Sequence, residues 1–231
     1  MKSFKLYIHS QLDNIAEGKI FTFGDLNFPQ SKLANVAVIL SNLTKENKLA
    51  RIEKGAYYKP KTSSLGLGYL PVYQDEKLNY LTHKLNGYLT GAYIYNKMSL
   101  TEQASYVITI AAKRPVRAFK FDKLTVACVK AYVDVSDDRQ DLYLVRILDA
   151  VKDFRHIPGT SPKTAYDRIL NLHVSCLEYA NLKKLVFFSN NYPPRVRKVL
   201  SRMLHETNNL DLEEQLAATI CPTTRFKLPC V

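Results

Sequence analysis

Between residues 31 and 54, small uncharged polar groups and cations are spaced in a way that suits contact with a polyanion. Ser31, Asn35, Val38 and Asn42 recur at steps of three and four, so on a helix they share one face. An asparagine side chain can form two hydrogen bonds with an adenine edge, and the methyl groups of Val38 can meet a thymine methyl. Lys32, Lys45, Lys48, Arg51 and Lys54 flank that face, and cations of this kind hold phosphates and fix register. A plainer reading stands beside it: Asn and Ser also make ordinary polar surfaces, and a Lys-Gly turn occurs in hairpins of no special purpose. The agreement of helical spacing, an uncharged polar face and a basic flank favours double-stranded DNA as the partner.

Two further basic clusters lie downstream. Lys113, Arg114 and Arg117 surround Pro115 and Val116 at an expected turn between strands. Arg195, Lys198 and Arg202 fall at i, i+3 and i+7, one outer stripe of an expected helix whose other side carries Val196, Val199, Leu200 and Met203. No acidic residue occurs from 183 to 203. These clusters read either as solvated faces or as a second anion-binding surface for nucleic acid.

Signatures of catalysis are missing. His9, His83, His156, His173 and His205 form no i, i+4 pair and no H-E-x-x-H, so a metal-hydrolase ligand set is lacking. No serine nucleophile elbow and no phosphate-binding glycine loop occurs, and Gly66-Leu67-Gly68 lacks the third glycine of a dinucleotide site. Gly159-Thr160-Ser161 is not followed by the paired acids with which a nucleotidyltransferase holds its metal ions. Asp134, Asp137, Asp138 and Asp141 read as an exposed loop, since no glutamate completes a calcium site. The expectation is no enzyme, with no catalytic residue, metal or cofactor.

Composition bounds the rest. With 33 Lys and Arg against 21 Asp and Glu among 231 residues, the net charge is +12 and the pI near 9.4, which favours polyanionic partners. At 46% apolar residues, the chain can bury a core in two modest domains. No apolar run is long enough to span a bilayer, and the start, Met1-Lys2-Ser3-Phe4-Lys5, does not resemble a signal peptide. A cytoplasmic protein with no membrane partner is expected. Cys128, Cys176, Cys221 and Cys230 form no C-x-x-C pair and read as reduced thiols, mostly filling core.

The elements that would position the first face follow from hydrophobic period. Phe4, Tyr7, Ile8, Leu12 and Ile15 predict a helix from Ser3 to near Gly18, and Ile20 to Phe23 a short apolar run. Gly24 to Leu26 suits a brief helix stopped before Pro29. Ser31 is placed to cap a helix from Lys32 to about Glu46, with Leu33, Val36, Ala37, Leu40 and Leu43 inward. Leu49 to Ile52 and Ala56 to Tyr58 then flank Glu53-Lys54-Gly55 as a hairpin. This order is that of a winged helix-turn-helix, whose core would hold Phe4, Tyr7, Ile8, Leu12, Leu26, Leu33, Val36, Leu40, Leu43, Ile52 and Tyr57. Lys59 to Ser64 and the glycines before Pro71 suggest a junction. Beyond it, helices at 75–85 and 92–98, strands at 106–112, 118–121 and 124–129, and helices at 141–154, 164–181 and 193–206 give α+β order. The expected division is residues 1–61 as the winged helix, 62–73 as linker and 74–231 as an α+β domain.

The runs Val36 to Leu43 and Leu49 to Tyr58 resemble the winged-helix half of AbiEi-like type IV antitoxins. Asn86-Gly87-Tyr88-Leu89-Thr90-Gly91-Ala92-Tyr93, with Leu100 to Gln103 and Tyr106 to Ala112, is similar to that family's central motif, a glycine-rich turn before a helix and a strand. Ile147 to Ala150 with Lys152-Asp153 and Ile157-Pro158, and Tyr192 to Leu200, are similar to later landmarks. The resemblance implies a repressor of its own promoter, acting on inverted repeats. It also implies that the C-terminal domain counteracts a nucleotidyltransferase-like toxin without forming a stable complex with it. The alternative is a stand-alone winged-helix transcription factor whose second domain senses a ligand or forms oligomers.

Overall fold

A computed structural model of the chain describes residues 4–63, 68–135 and 138–221. Met1, Lys2, Ser3, Ser64, Gly66, Leu67, Asp137 and Cys230, which entered the expectations above, lie outside the described residues. The architecture is mixed α+β, and the chain forms two compact units that divide between Lys84 and Leu85.

The first unit opens with α1 (Phe4–Asp13), β1 (Ile20–Thr22) and two 3-10 turns, Phe23–Asp25 and Gln30–Lys32. It continues through α2 (Leu33–Lys45), β2 (Ala50–Glu53), β3 (Ala56–Tyr58), β4 (Lys61–Thr62), β5 (Tyr69–Leu70) and α3 (Gln74–Leu85). The helix α1 ends at Asp13, earlier than its apolar period predicted. Gly18 instead turns the chain, with a positive φ of 77° and its N–H donating to the Lys59 carbonyl at 2.9 Å. Thr22 and Asp25 close a reciprocal cap over the first 3-10 turn: Thr22 Oγ1 accepts from Gly24 N at 3.2 Å, and the Asp25 carboxylate accepts from Thr22 N at 2.7 Å. Ser31 does not cap α2. Pro29, at φ −63°, leads into a 3-10 turn that already contains Ser31, and Lys32 stands at the N-cap without a side-chain bond.

The strands order as β1-β3-β2, antiparallel, with Ile20 opposite Tyr58 and Arg51 opposite Tyr57. The register shifts between Arg51 and Glu53. The core beneath holds Ile8, Leu12, Phe21, Leu26, Val36, Leu40, Leu43, Leu49 and Tyr57. Two residues expected there are outside: Tyr7 is 43% and Leu33 39% exposed, the first beside the buried stripe of α1 and the second at the free start of α2. Ile52 packs in a smaller cluster with Ile20, Ala56 and Val72.

The proline- and glycine-bearing stretch read as a linker contains the β4–β5 pair, and the unit boundary lies later than the expected 73/74 division. The reason is visible in α3. Its Leu78 and Leu81 are buried, its Glu76 accepts from Ile20 N at 3.0 Å, and its Tyr80 and Lys84 converge on Glu53, the ammonium at 2.5 Å.

The second unit carries a four-stranded sheet of β6 (Gly87–Thr90), β7 (Val107–Ala112), β8 (Phe119–Phe121) and β9 (Leu124–Lys130), ordered β6-β7-β9-β8. The β7–β9 pair is parallel and the others antiparallel. Residues 87–90, expected within a glycine-rich turn, are an edge strand. Gly87 is required there by closeness, since a Cβ would lie 2.3 Å from the Ala111 carbonyl oxygen. Gly91, at φ 73°, turns the chain from β6 into α4 (Ala92–Lys97).

The remaining helices are α5 (Arg139–Asp153), α6 (Pro162–Ile169), α7 (Tyr179–Ser189), α8 (Pro194–Glu206) and α9 (Leu210–Ala217). A 3-10 turn, Phe154–His156, follows α5, and a π-helical turn, Leu170–Val174, follows α6. The single helix expected over 164–181 is therefore divided, with Glu178 extended at ψ 152° where α7 begins. The helix α9 lies beyond the last helix expected from the sequence. Asp138 caps α5 by accepting from Gln140 N at 2.8 Å, and Ser161 caps α6 before Pro162, each worth about 1 kcal/mol. The core centres on α5, whose Leu144, Val145, Ile147, Leu148, Asp149, Ala150 and Val151 are all buried.

Candidate nucleic-acid interface

Val36, Leu40 and Leu43 fix which side of α2 faces inward. The opposite side then presents Ser31, Lys32, Asn35, Val38, Asn42 and Lys45, all exposed, together with Ala34 and Ser41, which the sequence reading had not singled out. Val38 leaves 59% of its surface in water. Among the described residues, the side chains of Ser31, Asn35, Ser41 and Asn42 make no hydrogen bond within the chain, so their donors and acceptors face outward unsatisfied by protein.

The chain leaves α2 in a tight reversal. Asn47 adopts φ 57°, and Lys48 N donates to the Leu43 carbonyl at 3.0 Å, which folds Lys48 back on the end of the helix. Lys48 pairs with Glu46 at 2.8 Å, and this ammonium holds the Glu46 carboxyl below the usual carboxylate range. Both groups are at least half exposed, so a phosphate can displace the carboxylate at little cost. Arg51 Nε donates to the Glu53 carbonyl at 3.1 Å, and Lys54 stands exposed at the hairpin turn.

The second basic surface is less uniform than its stripe suggested. Lys113, Arg114 and Arg117 are exposed on the β7–β8 connection, and Lys113 reaches Asp134 at 3.0 Å. On α8, Arg202 donates to Glu206 at 2.6 Å, and Lys198 is half-buried. Arg195 differs: it lines a shallow cavity of about 100 Å³ with Val151, Lys152, Phe154, Arg155, His156 and Val199. Sequence reasoning missed Lys152, Arg155 and His156 because their meeting with Arg195 depends on the packing of α5 against α8.

Three of the landmark segments converge on one buried carboxylate. Asp149, 1% exposed, accepts from Tyr88 Oη at 3.1 Å, Thr90 Oγ1 at 2.8 Å and Tyr192 Oη at 3.0 Å. Lys152 Nζ lies 3.7 Å from the same carboxylate and 3.6 Å from Asp153. Burial raises the pKa of Asp149, opposed by Lys152 and the three hydroxyls. Tyr132 stacks on Tyr192 with centroids 4.7 Å apart, and Lys130 and Lys152 lie over its ring. With its carboxylate enclosed and its hydroxyl partners in place, this network joins β6, α5 and the segment before α8.

The π-helical turn carries buried His173, which meets half-buried Tyr143 of α5. Tyr143 Oη and His173 Nδ1 are 2.7 Å apart, and His173 Nε2 lies 2.9 Å from the Met98 carbonyl. A neutral ring, donating from Nε2 and accepting at Nδ1, satisfies both contacts, and burial lowers the His173 pKa. The cysteines differ from the expectation of core filler: Cys176 and Cys221 are exposed and Cys128 is half-buried. Among the described residues no helix is long and apolar enough to cross a membrane, and no cluster of three metal-ligating side chains occurs.

No protein-family model and no curated protein matches the chain. Among solved structures, the RV2827C protein from Mycobacterium tuberculosis is similar at 14% identity, with 94% of this chain and 81% of that chain covered and a TM-score of 0.46. The reading of the exposed α2 face therefore rests on this chain's own residues.

Proposed function

We propose that the first unit is a winged helix-turn-helix that binds double-stranded DNA, with α2 as the recognition helix and the β2–β3 hairpin as the wing. The observation that carries this reading is the outer face of α2, where Ser31, Asn35, Ser41 and Asn42 point unsatisfied polar groups outward around an exposed Val38. A surface helix made only for solubility gains from charged side chains, whereas base edges are met by uncharged polar groups and methyls. Lys32, Lys45, Lys48, Arg51 and Lys54 supply the phosphate contacts. In the fuller form of the proposal, the chain represses its own promoter at inverted repeats, and the second unit opposes a nucleotidyltransferase-like toxin without a stable complex, as the AbiEi-like resemblance implies.

The direct test is a gel shift of the full chain on its own upstream sequence against unrelated duplex, repeated across salt concentrations. Sequence-selective binding lost in Asn35→Ala and kept in Lys113→Gln supports the reading. Equal affinity for both duplexes at every salt concentration refutes it. Toxicity relief is measured separately, by co-expression with an adjacent nucleotidyltransferase-like gene.

A further inference from the structure

We propose that the cavity at the end of α5 binds a phosphomonoester group, using Arg195, Arg155, Lys152 and His156. Where α5 ends, the 3-10 turn Phe154–His156 passes the first turns of α8 and leaves a space of about 100 Å³. That volume suits one tetrahedral anion and falls short of the several hundred Å³ that enclose a whole small molecule. The ligand is therefore a free phosphate or the phosphate end of a larger molecule that remains outside.

The charges select the anion. Three permanent cations and a histidine line the space, and Val151, Phe154 and Val199 supply an apolar lining that strengthens their field. The nearby acids take part of this charge: Lys152 is ion-paired with Asp149 at 3.7 Å and with Asp153 at 3.6 Å, both longer than a hydrogen bond, so a ligand oxygen competes with the two carboxylates for that ammonium. Arg195 makes no hydrogen bond or ion pair among the described residues. The Arg155 guanidinium rests 5.7 Å from the Phe154 ring centroid, which orients its fork. A carboxylate would answer one of these cations. A phosphomonoester carries up to two negative charges and three terminal oxygens, which answer the set.

This site lies in the second unit and does not depend on the DNA reading, so the two can fail separately. The full chain is titrated with inorganic phosphate, followed by ³¹P NMR, and with two short single strands of one sequence, bearing a 5′-phosphate or a 5′-hydroxyl, followed by anisotropy. Saturable phosphate binding is expected, weakened about tenfold or more in Arg195→Gln and in Arg155→Gln, and unchanged in Lys113→Gln and Asn35→Ala. A preference for the phosphorylated strand that collapses in Arg195→Gln identifies a strand end as the ligand. Discrimination with inorganic phosphate alone identifies a small phosphate. Thermal unfolding of each variant confirms that the fold is retained. The absence of saturable phosphate binding overturns the proposal, as does equal weakening by Arg195→Gln and Lys113→Gln, which would mean diffuse surface charge.

Discussion

The outer face of α2 and the inner face of α5 both carry polar groups on a helix, and they solve opposite problems. On α5, Asp149 is enclosed and its oxygens are bonded by Tyr88, Thr90 and Tyr192. On α2, Asn35 and Asn42 are exposed and their side chains are bonded by nothing among the described residues. A buried polar group must find its partners inside or destabilise the fold, so a complete set of internal bonds marks architecture. An exposed polar group with no internal partner is bound only by water, and a ligand can replace that water. The position of a polar side chain relative to its helix's apolar stripe thus separates framework from solvent-facing surface.

The contrast is broken most forcefully at Asp149. Asp149→Ala leaves three buried hydroxyls without their acceptor, and a loss of about 3–5 kcal/mol is expected in urea denaturation followed by circular dichroism. A loss below about 1 kcal/mol would show that the network does not hold the second unit together. Asn35→Ala should do the reverse. It should leave stability within about 0.5 kcal/mol of the parent and cost about 1–3 kcal/mol of discrimination between promoter and unrelated DNA. A destabilised Asn35→Ala with intact selectivity would place that residue in the framework.

Proton linkage sharpens the same comparison. Because the Asp149 pKa is raised in the folded state, the native protein holds its proton more tightly than the unfolded chain. This contribution to stability grows as pH falls through the raised pKa toward the ordinary carboxylate value, at up to about 1.4 kcal/mol per pH unit. His173 acts oppositely. Its lowered pKa favours the neutral ring, so its contribution is present above the ordinary histidine value and is lost as pH falls through the folded one. Denaturation midpoints from about pH 7 to about pH 4 should lose the first component in Asp149→Asn and the second in His173→Gln. The α2 variants should leave the profile unchanged. The smallest effect belongs to Lys54→Ala, which should weaken all duplexes alike and lower the salt slope of binding by about one.

Much of this was legible where local pattern decides structure. The apolar stripe Val36, Leu40 and Leu43 located α2 and hence its outer face, and the turn chemistry at Gly55 located the hairpin. The strands β7, β8 and β9 followed from β-branched and aromatic runs between turns. What escaped depended on contacts distant in sequence. The composition of 59–71 resembled a linker, but Glu76, Tyr80 and Lys84 tie α3 to the first unit through Ile20 and Glu53. The cavity escaped because Arg195 is 40 residues from Arg155 in sequence, and only the packing of α5 on α8 brings them together. Asp149 was visible within a landmark segment, but its partners come from two other segments and no spacing rule predicts them.

Gly87 carries a consequence for how this chain can vary. The strand β6 lies so near β7 that the space a Cβ would fill is taken by a carbonyl oxygen 2.3 Å away, part of the backbone rather than the end of a flexible side chain. No rotamer change relieves that collision, so even alanine must displace the strand that delivers Tyr88 and Thr90 to Asp149. In a library of all single substitutions, position 87 should act as a sequence bottleneck, rejecting residues of every chemistry on grounds of shape alone. Position 38, whose valine stands in water, should accept nearly any residue when folding is the selection and few when DNA binding is.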